Sequence, residues 1–204
     1  MAPIDMCYVR IIQIMQQLFI DFLKTRRSVT AKKMKRGKVS GDHLKLILEA
    51  GIRVPDHGAL KPWKLTVLTG AIQKQLDEEV ILDEFMKENP DASPESQLIE
   101  KTRLQRADAV IAVISSPVQH KSIPEWEMQL SAGAVCTTLL YAAQSLHYAA
   151  QWLTEWYAYN DTLLEKLGGE PGKDRIAGFI YIGEKVSPPI ERTRPKFDDV
   201  ITYL

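Results

Sequence analysis

The sequence predicts a single α+β domain, a sheet flanked by helices with one helix buried at the centre, and three observations carry that expectation. Residues 128–154 contain no charged side chain, although 25% of the chain is charged. Small or apolar residues occupy every face of this stretch, and a helix that is apolar all round belongs in a core. Ser131, Thr137, Thr138, Gln144, Ser145 and His147 are scattered around it and break the roughly 20-residue apolar run that a membrane span requires. Second, three β-prone runs, residues 65–69, 107–115 and 176–183, lie between segments of helical periodicity. Third, 204 residues suffice for one sizeable core and are few for two domains.

Charge excludes some function classes. The 26 Lys and Arg residues balance 26 Asp and Glu, so no global field steers the chain onto nucleic acid or an anionic membrane. Two cysteines, Cys7 and Cys136, make no disulfide framework, and a reducing, cytoplasmic setting is the expectation. Asp5, Arg10 and Gln13 interrupt the first twenty residues, and no small-residue cleavage site follows, so a signal peptide is not expected. Ile11, Ile14, Met15, Leu18, Phe19, Phe22 and Leu23 recur at helical spacing and predict an amphipathic helix over residues 10–24. Residues 1–21 therefore read as an N-terminal extension and the start of the first helix, with Met15 an alternative initiator, and residues 22–204 as the domain.

Residues 24–38 carry eight basic side chains and no acidic one. Such a block reads as a solvated loop, as a nucleic-acid contact lacking the aromatic residues that usually accompany one, or as a grip on a single phosphate through Arg26, Arg27 and Ser28. Ser40 is placed to cap a helix over residues 42–51, with Leu44, Ile47 and Leu48 inward. Residues 53–63, RVPDHGALKPW, form a rigid turn opening onto the strand at 65–69. Taken alone, His57 in such a turn is a structural hydrogen-bonder before it is a functional group. Residues 73–100 are helical, with Leu76, Val80, Ile81, Phe85 and Met86 on the apolar side and a break at Asn89, Pro90 and Asp91; residues 98–106 continue as helix. The run at 107–115 reads as a strand covered on both faces. Pro124 suits the first turn of the central helix, whose uncharged run leads out through residues 148–155. Glu127 reads either as a catalytic carboxylate or as an interface or capping residue. Asn160 or Asp161 caps a short helix ending near Leu167, Gly168 and Gly169 stop it, and residues 187–195 form a proline-set extended tail.

The triplet Arg26-Arg27-Ser28 at a helix end, followed by the A-G-x-R-x-P-D-H-x-x-x-x-P-W turn and by P-x-W-E-x-x-x-S-A-G at Pro124, resembles the small branch of the nitroreductase family of flavin mononucleotide (FMN) enzymes. The likeness spans residues 22–204. It implies an FMN-dependent nitroreductase-like fold: a mixed central sheet flanked by helices in an intertwined homodimer, with the central helix buried and two FMN sites at the subunit interface. By resemblance, Arg26, Arg27 and Ser28 hold the FMN phosphate and ribityl chain, and Arg192 and Arg194 complete the phosphate pocket; read alone, those last two belong to a solvated linker. Arg53 and His57 would reach the flavin from the partner subunit, Pro62 and Trp63 being structural. Trp152, Leu153, Thr154 and Glu155 would lay their backbone against the ring near N5. Ala142, Ala143, Gln144, Ser145, Leu146 and His147 occupy the segment associated with NADPH or NADH. Residues 91–100 match a flap over the flavin, and residues 199–204 an end strand added to the partner's sheet.

The implied activity is ping-pong hydride transfer from NAD(P)H through FMN to a nitroarene, quinone or similar electron-poor acceptor, with no side chain as obligatory acid or base and no metal. The implied partners are a second copy of the chain and a small-molecule acceptor, not nucleic acid or membrane. Glu155 and His147 stand where relatives carry glycine. They favour the alternative of a non-catalytic flavin-binding or flavin-handling protein on the same scaffold.

Overall fold

The computed structural model of the chain describes residues 6–37 and 39–204. Expectations for residues 1–5, and for Lys38 in the basic block, lie outside the described residues. Two compact units are formed, Met1–Arg27 with Ser187–Leu204, and Ser28–Val186. In the first, α1 (Met6–Thr25) begins one turn before the predicted start, no proline or glycine interrupting it. Lys24 in its last turn complements the helix dipole. Its apolar stripe, including Ile11, Ile14, Met15, Leu18 and Phe19, stays exposed in the single chain.

The larger unit contains β1 (Met34–Lys35), α2 (Gly41–Gly51), β2 (Trp63–Thr69), α3 (Ala71–Leu76), α4 (Leu82–Glu88), α5 (Pro94–Glu100), β3 (Ala109–Ser115), α6 (Glu125–Ser145), β4 (Ala149–Leu153), α7 (Asp161–Lys166) and β5 (Arg175–Lys185). A π-helical segment, Asp77–Ile81, joins α3 to α4. Strand β5 is the centre of the sheet: β3 runs along one edge with β2 beyond it, and β4 and β1 share the other edge. All these pairings are antiparallel, so a parallel pair of the kind a mixed sheet includes is not among the described residues.

Alternation along β3 and β5 divides the core in two. Val110, Ala112, Ile114, Phe179 and Tyr181 face Leu76, Val80, Ile81, Leu104 and Leu163, while Ile111, Val113, Ile180 and Ile182 face Ile47, Val135, Cys136 and Leu139. Helices thus cover both faces, and all seven residues of β3 are buried, as its continuous apolar run predicts. At Gly51 a Cβ would lie 2.3 Å from Leu139 Cδ2, so α2 packs on α6 with no room for a side chain. Burial pushes the Cys136 thiol up to about 12, leaving it a small hydrophobe rather than a nucleophile.

Two caps match the sequence, Ser40 Oγ accepting from His43 N and Asn160 Oδ1 from Leu163 N, while Pro124 stands in extended backbone just before α6 rather than in its first turn. The basic block differs from a solvated loop, because Val29, Ala31 and Met34 are buried and the block contains β1. Past α5 the helix does not continue to residue 106; a separate 3-10 turn covers Leu104–Arg106. The main correction concerns residues 128–154, which are not one helix. Helix α6 stops at Ser145, Tyr148 N donates to Ala143 O, and His147 adopts φ 65°. The remainder becomes β4, because pairing with Phe179–Gly183 satisfies a backbone that the weakly β-prone Ala149-Ala150-Gln151 leaves undecided.

A left-handed φ costs a residue with a Cβ about 1 kcal/mol. His147→Gly is therefore expected to stabilise the chain by about that amount, seen as a higher urea midpoint at unchanged slope. Asp77 gives a pH effect. Its buried carboxylate accepts from Leu104 N at 2.8 Å, Gln105 N at 3.2 Å and Gln105 Nε2 at 3.0 Å, yet desolvation dominates and raises its pKa from 3.8 to about 6. A carboxyl raised in the folded state costs stability as pH climbs from about 4 through 6, approaching 3 kcal/mol above that window. Asp77→Asn is expected to gain on the parent by that order between pH 4 and 7 in urea titrations, and a flat difference contradicts the assignment.

The first unit closes with the tail and α8 (Phe197–Val200). Residues 201–204 form no strand within the chain.

Candidate functional site

The turn after α2 is held by Asp56, whose carboxylate accepts from Leu60 N at 3.1 Å and Lys61 N at 2.8 Å. Gly58, Ala59 and Lys61 have φ of 70°, 53° and 51°, an accumulation of left-handed residues that persists only when surroundings over-determine it. Those surroundings include Ser131 on α6: its hydroxyl donates to Pro55 O at 2.8 Å and accepts from Trp63 Nε1 at 3.2 Å. His57 Nδ1 sits 2.7 Å from Glu127 Oε2, both side chains exposed. Glu127 thus has a defined partner, and His57 a neighbour that orients its ring. Arg53 is exposed at the start of the turn.

The second part is the exit of β4. Pairing ends at Leu153↔Phe179, so the N–H groups of Thr154 and Glu155 lie beyond the ladder. The Trp152 indole lies across Gly178 and donates Nε1–H to Ala177 O at 3.0 Å; a Cβ on Gly178 would be 1.9 Å from that nitrogen. Glu155 has φ −67° and ψ 176°, ordinary extended backbone that needs no glycine. Its carboxylate binds Arg103 Nη1 and, at 3.2 Å, Arg106 Nη1. Arg103 also donates from Nε to Glu100 Oε2 at 2.9 Å, and Trp156 Nε1 donates to the same oxygen at 3.0 Å. Two guanidiniums and two carboxylates therefore compensate one another behind the exposed strand end. Deeper still, Tyr157 and Tyr181 share a hydroxyl contact of 2.9 Å, and burial holds both phenols above their ordinary range.

Ser28 is tied to this strand through its neighbours: Val29 N donates to Ala150 O at 3.2 Å and Ala31 N to Gln151 Oε1 at 2.6 Å. Within the first unit, Arg26 closes α1 through its N–H to Phe22 O at 2.8 Å. Arg27 Nε donates to Ile190 O at 3.2 Å and faces Glu191, which also binds Arg194 at 2.8 Å. The tail arginines are thereby organised around one carboxylate; Arg192 contributes its backbone N–H to it at 2.9 Å. Of the segment 142–147, Ala143 is fully buried and Ala142 and Leu146 pack against the core, leaving Ser145 and His147 the exposed members and Gln144 partly so. His147 borders a cavity of about 300 Å³ with Tyr148, Glu184 and Lys185. Among the described residues, no group of three His, Cys, Asp or Glu could hold a metal, and no helix is long and apolar enough to cross a membrane.

Sequence reasoning missed Ser131 as the anchor of the turn and the Arg103, Arg106 and Glu100 cluster. Ser131 joins residues 76 positions away and Arg103 reaches Glu155 across 52, so no local pattern marks either. Asp56 was accessible, because Asp in a turn rich in proline and glycine commonly accepts hydrogen bonds from nearby backbone N–H groups.

Comparison with known proteins agrees with this architecture. The family model described as "Nitroreductase family" matches residues 23–184. A Haemophilus influenzae protein named "Putative NAD(P)H nitroreductase" is 31% identical over 190 residues, covering 91% of this chain and 98% of its own. The crystal structure of a nitroreductase-like family protein from Bacillus cereus superposes with a TM-score of 0.78 at 22% identity, covering 91% of this chain and 95% of that one. A nitroreductase from Bacteroides fragilis, solved with bound FMN, gives a TM-score of 0.66 at 20% identity, covering 91% and 97%. With the match running from the end of α1 almost to the end of β5, the chain belongs to the nitroreductase family.

Proposed function

We propose that two copies of this chain form an FMN-dependent oxidoreductase that takes electrons from NAD(P)H and delivers them, in ping-pong fashion, to a nitroarene, quinone or similar electron-poor acceptor. The observation that carries the reading is the exit of β4: peptide N–H groups beyond the ladder, in extended backbone, beside a carboxylate already neutralised by two arginines. Those groups fit the polar edge of a flavin ring, since fixed donors stabilise developing negative charge without reorganising. FMN bound there supplies the hydride chemistry itself. Arg26 and Arg27 offer guanidinium forks suited to its phosphate, Ser28 a hydroxyl beside β4, and the tail around Arg192 and Arg194 further positive charge. Arg53 and the Glu127-oriented His57 belong to a turn rigid enough to serve a neighbouring subunit's flavin, and the exposed segment around Gln144, Ser145 and His147 to the nicotinamide donor. Dimer formation is supported by the uncovered apolar stripe of α1 and by Ile190, Phe197, Val200 and Tyr203 in the tail.

The reading as a non-catalytic flavin-handling protein drew on Glu155 and His147. Glu155 keeps ordinary backbone angles and is turned into its arginine pair, which removes its share of that support. FMN fluorescence titration tests the assignment. Arg26→Ala and Arg27→Ala are expected to weaken FMN binding about 10- to 100-fold, the span of a lost charge-assisted contact, and Glu127→Gln far less. Equal losses from all three contradict the roles.

A further inference from the structure

The charged cluster behind the end of β4 holds more positive charge at Glu155 than one carboxylate needs. Glu100 already has Arg103 and the Trp156 indole as partners, yet Arg103 also reaches Glu155, and Arg106 Nη1 joins it there at 3.2 Å. Both guanidiniums therefore converge on the residue whose own N–H lies just past the β4–β5 ladder. The side chains of Arg106 and Glu155 are 8% and 29% exposed, whereas surface pairs such as Lys45 with Glu49 and Lys173 with Glu170 are open to water on both sides. Charges shielded in this way act over several ångströms with little screening. Arg106 also acts on the buried Asp77 carboxylate, whose pKa stands at about 6, so Asp77 belongs to the same field. A group bound against the exposed end of β4 lies within reach of that field, and any change in its own charge is favoured by the arginines and opposed by the carboxylates.

We propose that Glu155 and Arg106 set the reduction potential of the flavin proposed at this strand end, the carboxylate lowering it and the guanidinium raising it. The inference deepens the oxidoreductase reading and rests on it for the presence of FMN. A hydride from NAD(P)H brings two electrons and one proton, so the ring gains one net negative charge, which a nearby carboxylate opposes and a guanidinium favours. The balance between the two thus decides which electron-poor acceptors the reduced flavin can serve. A unit charge within about 10 Å, at an effective dielectric constant of about 20, moves such an equilibrium about tenfold, which for two electrons is about 30 mV.

Spectroelectrochemical titration of the bound FMN tests this at pH 8, above the range in which Asp77 titrates. Glu155→Gln is expected to raise the midpoint by about 30 mV or more, and Arg106→Gln to lower it by a similar amount. The double variant returns close to the parent, and Arg106→Lys, which keeps the charge, stays within about twofold of the parent equilibrium, or about 10 mV. Opposite signs are the mark of a field effect, because a merely loosened site moves both single variants the same way. Shifts of one sign, or no shift in either variant, overturn the inference and leave the oxidoreductase reading standing. Opposite shifts in a protein whose bound FMN neither NADPH nor NADH reduces sink the oxidoreductase reading and leave the charge device standing. A parent protein that binds no FMN overturns both.

Discussion

Arg103→Ala is expected to lower the unfolding free energy by about 3–5 kcal/mol, the usual cost of removing one partner from a buried ion network. Arg103 is 14% exposed at its side chain and Glu100 only 5%. Without the guanidinium, the partners left among the described residues are the Trp156 indole N–H for Glu100 and Arg106 for Glu155. A desolvated carboxylate left in that state must be protonated or draw in water, and either costs far more than a surface pair returns. Against a typical total of about 5–15 kcal/mol, this is a large share. Urea unfolding checks it, with Arg103→Lys falling between the parent and the alanine variant because one charge is kept and the two-sided fork is lost. A loss below about 1 kcal/mol would show the network to be effectively solvated.

Gly178→Ala is expected to cost about 3 kcal/mol, combining overpacking with the loss of the Trp152 bond to Ala177. The added methyl would stand 1.9 Å from Trp152 Nε1 and 2.3 Å from Cδ1, so the ring must leave the strand surface. The cost resides in one contact, so the effect is non-additive: Trp152→Leu with Gly178→Ala should be less destabilised than the sum of the two single changes. On the proposed flavin site both variants should also weaken FMN binding, since Trp152 stands one residue before the end of β4. Strict additivity would place the strain elsewhere.

How much of this was legible in the chain follows from the range of each interaction. The caps at Ser40 and Asn160, the buried strand β3 and the rigid turn before Trp63 are local, and their side-chain chemistry spells them out. The boundary between α6 and β4 was not visible. Residues 128–154 stay uncharged throughout, and only pairing with β5 distinguishes the strand from a continued helix. His147 hid the break, since the left-handed position that ends α6 is ordinarily marked by glycine. Within the proposed site, Arg26, Arg27, Ser28 and the residues around Trp152 are assigned their roles through the family resemblance. The partners of Glu155 were not, because Arg103 and Arg106 lie on a 3-10 turn whose approach to β4 is set by tertiary packing. Glu155 shows the consequence: a carboxylate that looked disruptive in sequence is, in three dimensions, one member of a compensated cluster.

The most direct measurement is the visible spectrum of the purified protein before and after anaerobic addition of NADPH or NADH. A yellow dimer with bound FMN, bleached by either nucleotide and recoloured by 4-nitrobenzoate or a quinone, is the predicted result. Colourless, monomeric protein indifferent to added FMN, or a bound flavin that neither nucleotide discharges, would contradict it.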